Sequence, residues 1–224
     1  MSALPIADHA LLSDRHSAAL VTRDGSVVWL CFPRFDSESV FAAILDDDAG
    51  HWSIQPTATA TSTREYVDGT MALRTTFHTA EGDLELLDAM DLGDSFDPHR
   101  LGEHAPHTLL RGVRCTTGRV TVEMTYRPRP EYGLVVPIFS EIESGFVSTG
   151  GSGRLTLSMP GKIDISPFSA PGSANHFRRH TPRVRSRPRW TRRLRAGRAG
   201  LRFTKTTTVP GVTWFVTRGG CCKR

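Results

Sequence analysis

The sequence predicts a mainly β fold: an antiparallel, two-sheet, supersandwich-like β-sandwich over residues 1–165 and a disordered basic tail over residues 166–224. Many short β-type runs separated by turn residues predict the sandwich, because a βαβ fold would place longer helical patterns between them. A break in charge predicts the tail. All 23 acidic residues and 13 of the 28 Lys and Arg residues precede residue 165, so the remainder of the chain carries 15 basic residues and no acid.

The first elements follow from turn chemistry. Two β-type runs, 18–22 and 27–32, flank Asp24-Gly25. This arrangement predicts a hairpin, because glycine accepts the positive φ that a tight turn demands. The apolar run that follows predicts a short helix near 39–46.

Later elements follow from alternation. Apolar side chains alternate over 70–79 and 84–92, which predicts half-buried strands. The runs 108–115 and 120–126 predict a hairpin around Thr117-Gly118. Further strands are predicted at 51–55, 63–67, 145–149 and 155–159. From Pro167 onward the apolar residues lose their period, and the Arg- and Pro-rich composition predicts no core.

Targeting and cysteine patterns bear on the compartment. The opening MSALPIADHALL lacks a basic stretch followed by an apolar one, so no signal peptide is predicted. No run of about 18 apolar residues exists, which predicts no membrane partner. Cys31 and Cys115 lie in strand-like runs as expected of buried free thiols, and Cys221-Cys222 lacks zinc-ligand spacing. Without a disulfide framework, we expect a cytoplasmic protein.

Two sequence blocks resemble a known enzyme family. Residues 24–37 read DGSVVWLCFPRFDS and residues 126–133 read YRPRPEYG. Both resemble the N-terminal part of bacterial family-15 glycoside hydrolases, the group of trehalase-like and glucoamylase-like enzymes. The family usually has Asp at the position of Val28 and Pro at the position of Glu38. The resemblance extends over roughly residues 4–160.

The resemblance implies a division of labour between domains. In the family, an N-terminal β-sandwich packs on a helical (α/α)-barrel, and the barrel carries the two catalytic carboxylates. Hydrolysis needs that opposed acid and base, yet no acidic residue follows Asp164. The expectation is therefore a truncated, non-catalytic domain that is inactive alone and has no cofactor. The parent enzyme would hydrolyse α-glucosidic bonds in trehalose or α-glucans, and the barrel would be absent or a separate chain.

Trp29, Arg34, Phe35 and Asp36 are the candidate contact residues for substrate or for the neighbouring domain. An aromatic ring offers a flat apolar face to a sugar, and an Arg–carboxylate pair can fix hydroxyl groups through charge-assisted hydrogen bonds. They could thus meet an α-glucoside at the domain interface. The alternative is that the two rings belong to the core and that Arg34–Asp36 is a structural or interdomain salt bridge.

Three other groups resemble chemical sites but lack the required spacing, so neither a catalytic residue nor a metal site is predicted. The acidic group lacks calcium-ligand spacing, the histidines lack an accompanying carboxylate or Cys, and the nucleophile group is too local for a triad. The groups are Asp36, Glu38 and Asp46–Asp48; His99, His104 and His107; and Ser13, Asp14 and His16.

The basic tail leaves alternatives open. Arg residues concentrated over 178–202 would bind nucleic acid non-specifically through phosphate neutralisation, which would make the chain a sandwich with a nucleic-acid-binding arm. A third hypothesis is a subunit that docks in trans on a catalytic barrel. The composition is also typical of a GC-rich gene translated in a wrong frame. With permissible codons, the shifted frame over 201–224 spells an amphipathic, charge-balanced string that resembles the start of the family's catalytic domain.

We therefore predict a frameshift after about residue 165. Sequencing the gene from codon 160 onward checks this, and we expect a shifted frame that continues into family-like sequence. If neither shifted frame contains such a reading, the tail is genuine.

Overall fold

The computed structural model describes residues 4–95, 97–143, 145–158, 165–167, 193–194, 201–207 and 212–219. Apart from a single 3-10 turn at Ile6–Asp8, its regular elements are strands. The strands are β1 (His9–Ser13), β2 (Ala18–Thr22), β3 (Ser26–Cys31), β4 (Ser39–Phe41), β5 (His51–Pro56), β6 (Thr61–Tyr66), β7 (Leu73–Thr79), β8 (Gly82–Met90), β9 (Thr108–Gly118), β10 (Val120–Arg127), β11 (Ile138–Ile142), β12 (Gly145–Gly150), β13 (Gly153–Ser158), β14 (Ile165–Pro167), β15 (Arg193–Leu194), β16 (Leu201–Thr207) and β17 (Val212–Gly219).

Two antiparallel sheets face each other across one core. Within the described residues, the first sheet has the strand order β1-β2-β3-β5-β10-β16-β14, with β4 beside β3. The second has the order β15-β11-β12-β13-β17-β9-β8-β7-β6. The prediction of a mainly β, antiparallel, two-sheet fold is therefore confirmed.

Period-two alternation explains which side chains fill the core. On β8, Leu84, Leu86, Asp88 and Met90 all face inward and are buried, as their spacing predicts. Aromatic rings from both sheets meet at Tyr126, whose ring packs edge-on against neighbouring rings at centroid distances of 5.6 to 6.2 Å. These neighbours are Phe41, Trp52 and Phe139.

A buried guanidinium joins the two sheets. Arg111 on β9 donates to both carboxylate oxygens of Asp88 on β8, at 2.9 and 3.2 Å. It also reaches across the core and donates to the carbonyl oxygens of Trp52, at 2.5 Å, and Gly25, at 2.7 Å. Its guanidinium carbon lies 5.0 Å from the centroid of the Trp52 ring. Because both charged side chains are fully buried, these partners replace the water that each would otherwise need.

The predicted short helix near 39–46 is wrong. Ser39–Phe41 forms strand β4 on the edge of β3, and the chain then turns back. The amides of Ala42 and Ala43 both donate to the carbonyl of Gly50 instead of starting a helical ladder. A segment this short gains few helical hydrogen bonds, so pairing with its neighbours prevails.

The predicted hairpin around Thr117-Gly118 is also wrong. Strands β9 and β10 lie in different sheets: β9 pairs with β8 and β17, whereas β10 pairs with β5 and β16. Gly118 has φ +61°, and its added Cβ would lie 2.0 Å from the carbonyl oxygen of Glu81. The glycine thus marks a crossing from one sheet to the other rather than a turn between paired strands.

Strands also occur where the sequence predicts a tail without structure. β16 pairs with β10 in the first sheet, and β17 lies between β9 and β13 in the second. Both segments contain several β-branched residues and at least one aromatic residue, which favour a pleated, half-buried backbone. Most of the Arg-rich stretch 178–202 lies outside the described residues, and the domain boundary at residue 165 stays a prediction. No helix in the described part of the chain is long and apolar enough to cross a membrane.

Replacing Arg111 with Met should lower the free energy of unfolding by about 3–5 kcal/mol, because Asp88 would remain as an unpaired buried charge. Urea unfolding of the full chain measures this loss. Arg114→Met, on the same strand, is the matched control: Arg114 bonds to Glu85 at 2.9 Å with 57% of its side chain exposed. That control should cost no more than about 1 kcal/mol. Equal losses in the two variants would contradict the structural role of the buried pair.

Candidate functional site

The two family-like blocks, 24–37 and 126–133, meet in space although they lie far apart in sequence. The amide of Tyr132 donates to the hydroxyl of Ser39, just beyond the first block, at 3.1 Å. The rings of Tyr132 and Trp29 approach with centroids 6.2 Å apart. This contact region, the block junction, is thus built from the most family-specific residues of the sequence.

An unusual backbone turn shapes the second block. Glu131, Tyr132 and Gly133 have φ values of +58°, +59° and +95° in succession. Such conformations cost L-residues roughly 1–2 kcal/mol each, so surrounding contacts must maintain them. The amide of Gly133 donates to the carbonyl of Arg129 at 3.1 Å. The turn leaves Tyr132 half exposed, beside Trp29.

The loop of the first block carries an exposed ion pair beside an exposed ring. Arg34 donates to both carboxylate oxygens of Asp36, at 2.8 and 3.1 Å. This hydrogen bond lowers the pKa of Asp36 and raises the pKa of Arg34. Phe35 is 61% exposed. Together with Arg15 and His16, the loop lines an open groove.

Three of the four predicted contact residues therefore lie together. Arg34, Phe35 and Asp36 share the exposed loop, whereas Trp29 lies on β3 at the block junction. Phe35 is not part of the core, and Trp29 is only partly buried. The exposed Arg34–Asp36 pair is placed so that it can contact either a ligand or a neighbouring domain. The role of these residues as contact residues stays a prediction.

An apolar stripe continues from the block junction along the chain. Alternate residues of the segment point outward and are 45% to 83% exposed: Tyr132, Leu134, Val136 and Ile138. Pro137 and Phe139, in the opposite phase, point inward and are buried. The sequence here is apolar in both phases, GLVVPIF, so periodicity alone does not reveal that one face remains uncovered. An exposed apolar face of this kind marks an interaction surface.

A buried arginine supports the junction from below. Arg129 is 3% exposed and donates to the carbonyl of Pro128 at 2.9 Å. Burial, aided by the nearby charge of Arg127, lowers the pKa of Arg129 to about 10. Its backbone amide also donates to the carbonyl of Val40 at 2.9 Å. The second block is thus fastened to the strand that follows the first.

The acidic stretch forms one contact within itself and one ion pair with strand β10. Asp46 accepts from the amide of Asp48 at 2.8 Å, and Asp48 pairs with Arg127 at 2.6 Å. His99 and His104 are exposed. Across the described residues, no three His, Cys, Asp or Glu side chains are placed to hold a metal ion.

The Ser13, Asp14 and His16 group forms a structural turn. The buried Asp14 carboxylate accepts from the amides of His16, at 2.9 Å, and Ser17, at 2.7 Å, and lies 3.3 Å from His107 Nδ1. The Ser13 hydroxyl donates to the carbonyl of Ser17 at 2.8 Å. Because the serine is bonded to backbone rather than to a histidine, no nucleophile–base pair forms here.

Comparisons with known proteins identify relatives of the chain. Residues 1–170 match the family described as trehalase-like, N-terminal. The chain is similar to the trehalase of Mycobacterium tuberculosis, with 41% identity over 138 residues, which is 57% of this chain and 20% of that protein. It is 41% identical to the trehalase of Mycolicibacterium smegmatis over 141 residues, 58% of this chain and 21% of that protein.

An archaeal relative covers more of the chain. Trehalase 1 of Sulfolobus acidocaldarius is 31% identical over 157 residues, 70% of this chain and 25% of that protein. The chain thus spans 20% to 25% of the length of these relatives. No solved structure matches it.

Gly25, at the start of the first block, should not tolerate a side chain. It has φ +79°, and an added Cβ would lie 2.5 Å from the carbonyl oxygen of Ile54. We expect Gly25→Ala to lower the free energy of unfolding by about 3 kcal/mol or more, through strain plus displaced backbone. Gly69→Ala is the control, since its φ is +67° with nothing within 4 Å, and it should cost about 1 kcal/mol. Urea unfolding measures the loss of unfolding free energy in both variants. Equal losses would show that the positive φ alone, and not the contact with Ile54, makes Gly25 sensitive to substitution.

Proposed function

The chain belongs to the trehalase-like N-terminal family, and from this premise we propose that it is the non-catalytic sandwich domain of a trehalase-type glycoside hydrolase. The contacts of the described carboxyl groups support the non-catalytic part, because side-chain donors hydrogen-bond to the ionised forms of Asp36, Asp83 and Glu103. A glycosidase needs an acid whose pKa is raised so that it holds a proton. Among the described carboxyls with a resolved shift, each pKa is lowered, because a neighbour hydrogen-bonds to the ionised form. They are Asp36, Asp83 and Glu103.

The two fully buried carboxylates are also engaged. Asp88 is neutralised by Arg111, and Asp14 accepts two backbone amides. Neither faces an open cleft with a second carboxylate across it, as hydrolysis requires. These contacts support a scaffold role for the buried acids rather than proton transfer.

The apolar stripe supports a docking role. We propose that it packs on the catalytic part of the enzyme, a helical (α/α)-barrel on the same or a separate chain. Leu134 is 83% exposed, and covering such side chains is worth about 25 cal/mol per Å² of apolar area. Charged residues are absent from the four outward positions, as is typical of the centre of an interface.

The proposed substrate is an α-glucoside. The relatives are trehalases, which favours trehalose, while the sequence resemblance keeps α-glucans as the alternative. The exposed Phe35 ring and the Arg34–Asp36 pair would meet this substrate at the domain interface. The free thiols Cys31 and Cys115 suit a reducing compartment, and we place the protein in the cytoplasm.

The purified chain should not hydrolyse trehalose or maltodextrin by itself. Glucose release, compared with buffer alone, measures this directly. Two results together would overturn the non-catalytic assignment. Glucose release above the buffer rate would have to copurify with the chain, and it would have to be lost when an acidic residue of the described part is changed to its amide.

Substitutions in the stripe should weaken docking. We expect the chain to bind the part of the Mycobacterium tuberculosis trehalase that lies outside the matched segment, and Leu134→Ser to reduce that affinity at least about tenfold. Leu87→Ser is the matched control, because Leu87 is a leucine outside the stripe, on β8, with 40% exposure. Titration calorimetry compares the two. Equal affinities for both variants, or no binding by the unaltered chain, would contradict the stripe as the docking surface.

A further inference from the structure

The outer face of the first sheet contains a trough that the proposed docking role does not use. It lies between the turn that carries Ile44 and Asp47 on one side and the N-terminal residues Leu4 and His9 on the other. Its floor is formed by outward-facing side chains of neighbouring strands: Thr22, Ser26, Val28, His51, Ser53 and Gln55.

Strand register aligns hydroxyl groups across the floor. Ser26 on β3 pairs with Ser53 on β5, and Ser53 pairs with Thr125 on β10. The three residues therefore form one row perpendicular to the strands, about 10 Å long at the usual strand spacing. Their exposures are 8%, 6% and 8%. Ser26 and Ser53 line the trough, and Thr125 continues the row on the next strand.

Polar groups on the floor have unused hydrogen-bonding capacity. In the part of the chain that the structure describes, the Ser26 and Ser53 hydroxyls, the Gln55 amide and the His51 ring have no hydrogen-bond partner. Asp24, at the rim, receives the amide of Ser26 at 3.2 Å and the hydroxyl of Thr22 through one oxygen, and its second oxygen is unused. A ligand with many hydroxyl groups would satisfy these donors and acceptors together.

The charged groups that line the trough favour a neutral ligand over an anion. Its lining contains Asp24 and Asp47 but neither Lys nor Arg. Burial, together with the charge of Arg127, lowers the pKa of His51, so its ring is neutral at pH 7 and can both donate and accept. The walls add carbon surface from Leu4 and Ile44. Neutral polar groups on the floor and apolar walls match the two kinds of surface on a pyranose ring.

We propose that this trough is a binding site for a neutral glucose-based oligosaccharide, separate from the site of hydrolysis. Ser26, Ser53, Gln55 and His51 hydrogen-bond to sugar hydroxyls, Asp24 accepts from a hydroxyl pair, and Ile44 contacts the apolar face of a ring. The choice of glucose as the sugar rests on the proposed function. With an α-glucan, the alternative substrate named above, the trough would hold the sugar chain on the enzyme while the catalytic part acts on it.

Titration of the full chain with maltoheptaose tests the site. We expect binding with amide NMR shift changes concentrated at His51, Ser53 and Gln55. Ser53→Ala, which removes only a hydroxyl, should weaken binding about fivefold, the effect of one hydrogen bond. Thr76→Val, on β7 of the other sheet, is the matched control and should leave the affinity unchanged.

Three outcomes would overturn the proposal. The first is the absence of shift changes at millimolar maltoheptaose. The second is equal affinity of Ser53→Ala and the unaltered chain for maltoheptaose. The third is a set of shift changes in the trough caused by spermidine and not by maltoheptaose, which would make the trough a cation site. Glucose release measured on the same sample keeps the two ideas separate. Hydrolysis by the chain contradicts the non-catalytic assignment, whereas absent or misplaced shift changes contradict only the saccharide site.

Discussion

The buried guanidinium of Arg111 is the contact on which the arrangement of the two sheets depends. It neutralises Asp88 within its own sheet and reaches two carbonyl groups of the other, at Trp52 and Gly25. A charge in the core is costly unless every partner is in place, so these contacts specify how the sheets face each other. One of these carbonyls belongs to the glycine of the first family-like block. The block therefore positions the core as well as the surface loop that follows it.

The two family-like blocks form the block junction at the surface of this sandwich. The first block supplies Trp29 and the exposed 33–37 loop, and the second supplies three successive residues with positive φ. The left-handed turn brings Tyr132 against Trp29 and directs the apolar stripe outward. Backbone strain of this kind persists only where surrounding contacts maintain it. The buried Arg129 and its bond to Val40 provide such contacts.

Local signals predicted much of the fold. The Asp24-Gly25 hairpin and the alternating core face of β8 follow from turn chemistry and period two. Non-local choices did not follow. A helix near 39–46 and a hairpin at Thr117-Gly118 satisfy local rules, but neighbouring strands bind those segments more fully. Strands β16 and β17 carried a β-branched signal that the basic composition of the tail obscured.

The site shows the same division between local and non-local information. Arg34, Phe35 and Asp36 are adjacent in sequence, so their shared loop was predictable, whereas the contact of Trp29 with Tyr132 joins residues of the two blocks. Arg111 resembles an outward-facing polar strand residue, and only the partners on the opposite sheet explain its burial.

The most direct test of the docking account is amide hydrogen exchange of the chain mixed with the catalytic part of a trehalase. Slower exchange over residues 132–139 and little change on β6 and β7 is the predicted result. Protection confined to other strands, or none at all, would contradict the account.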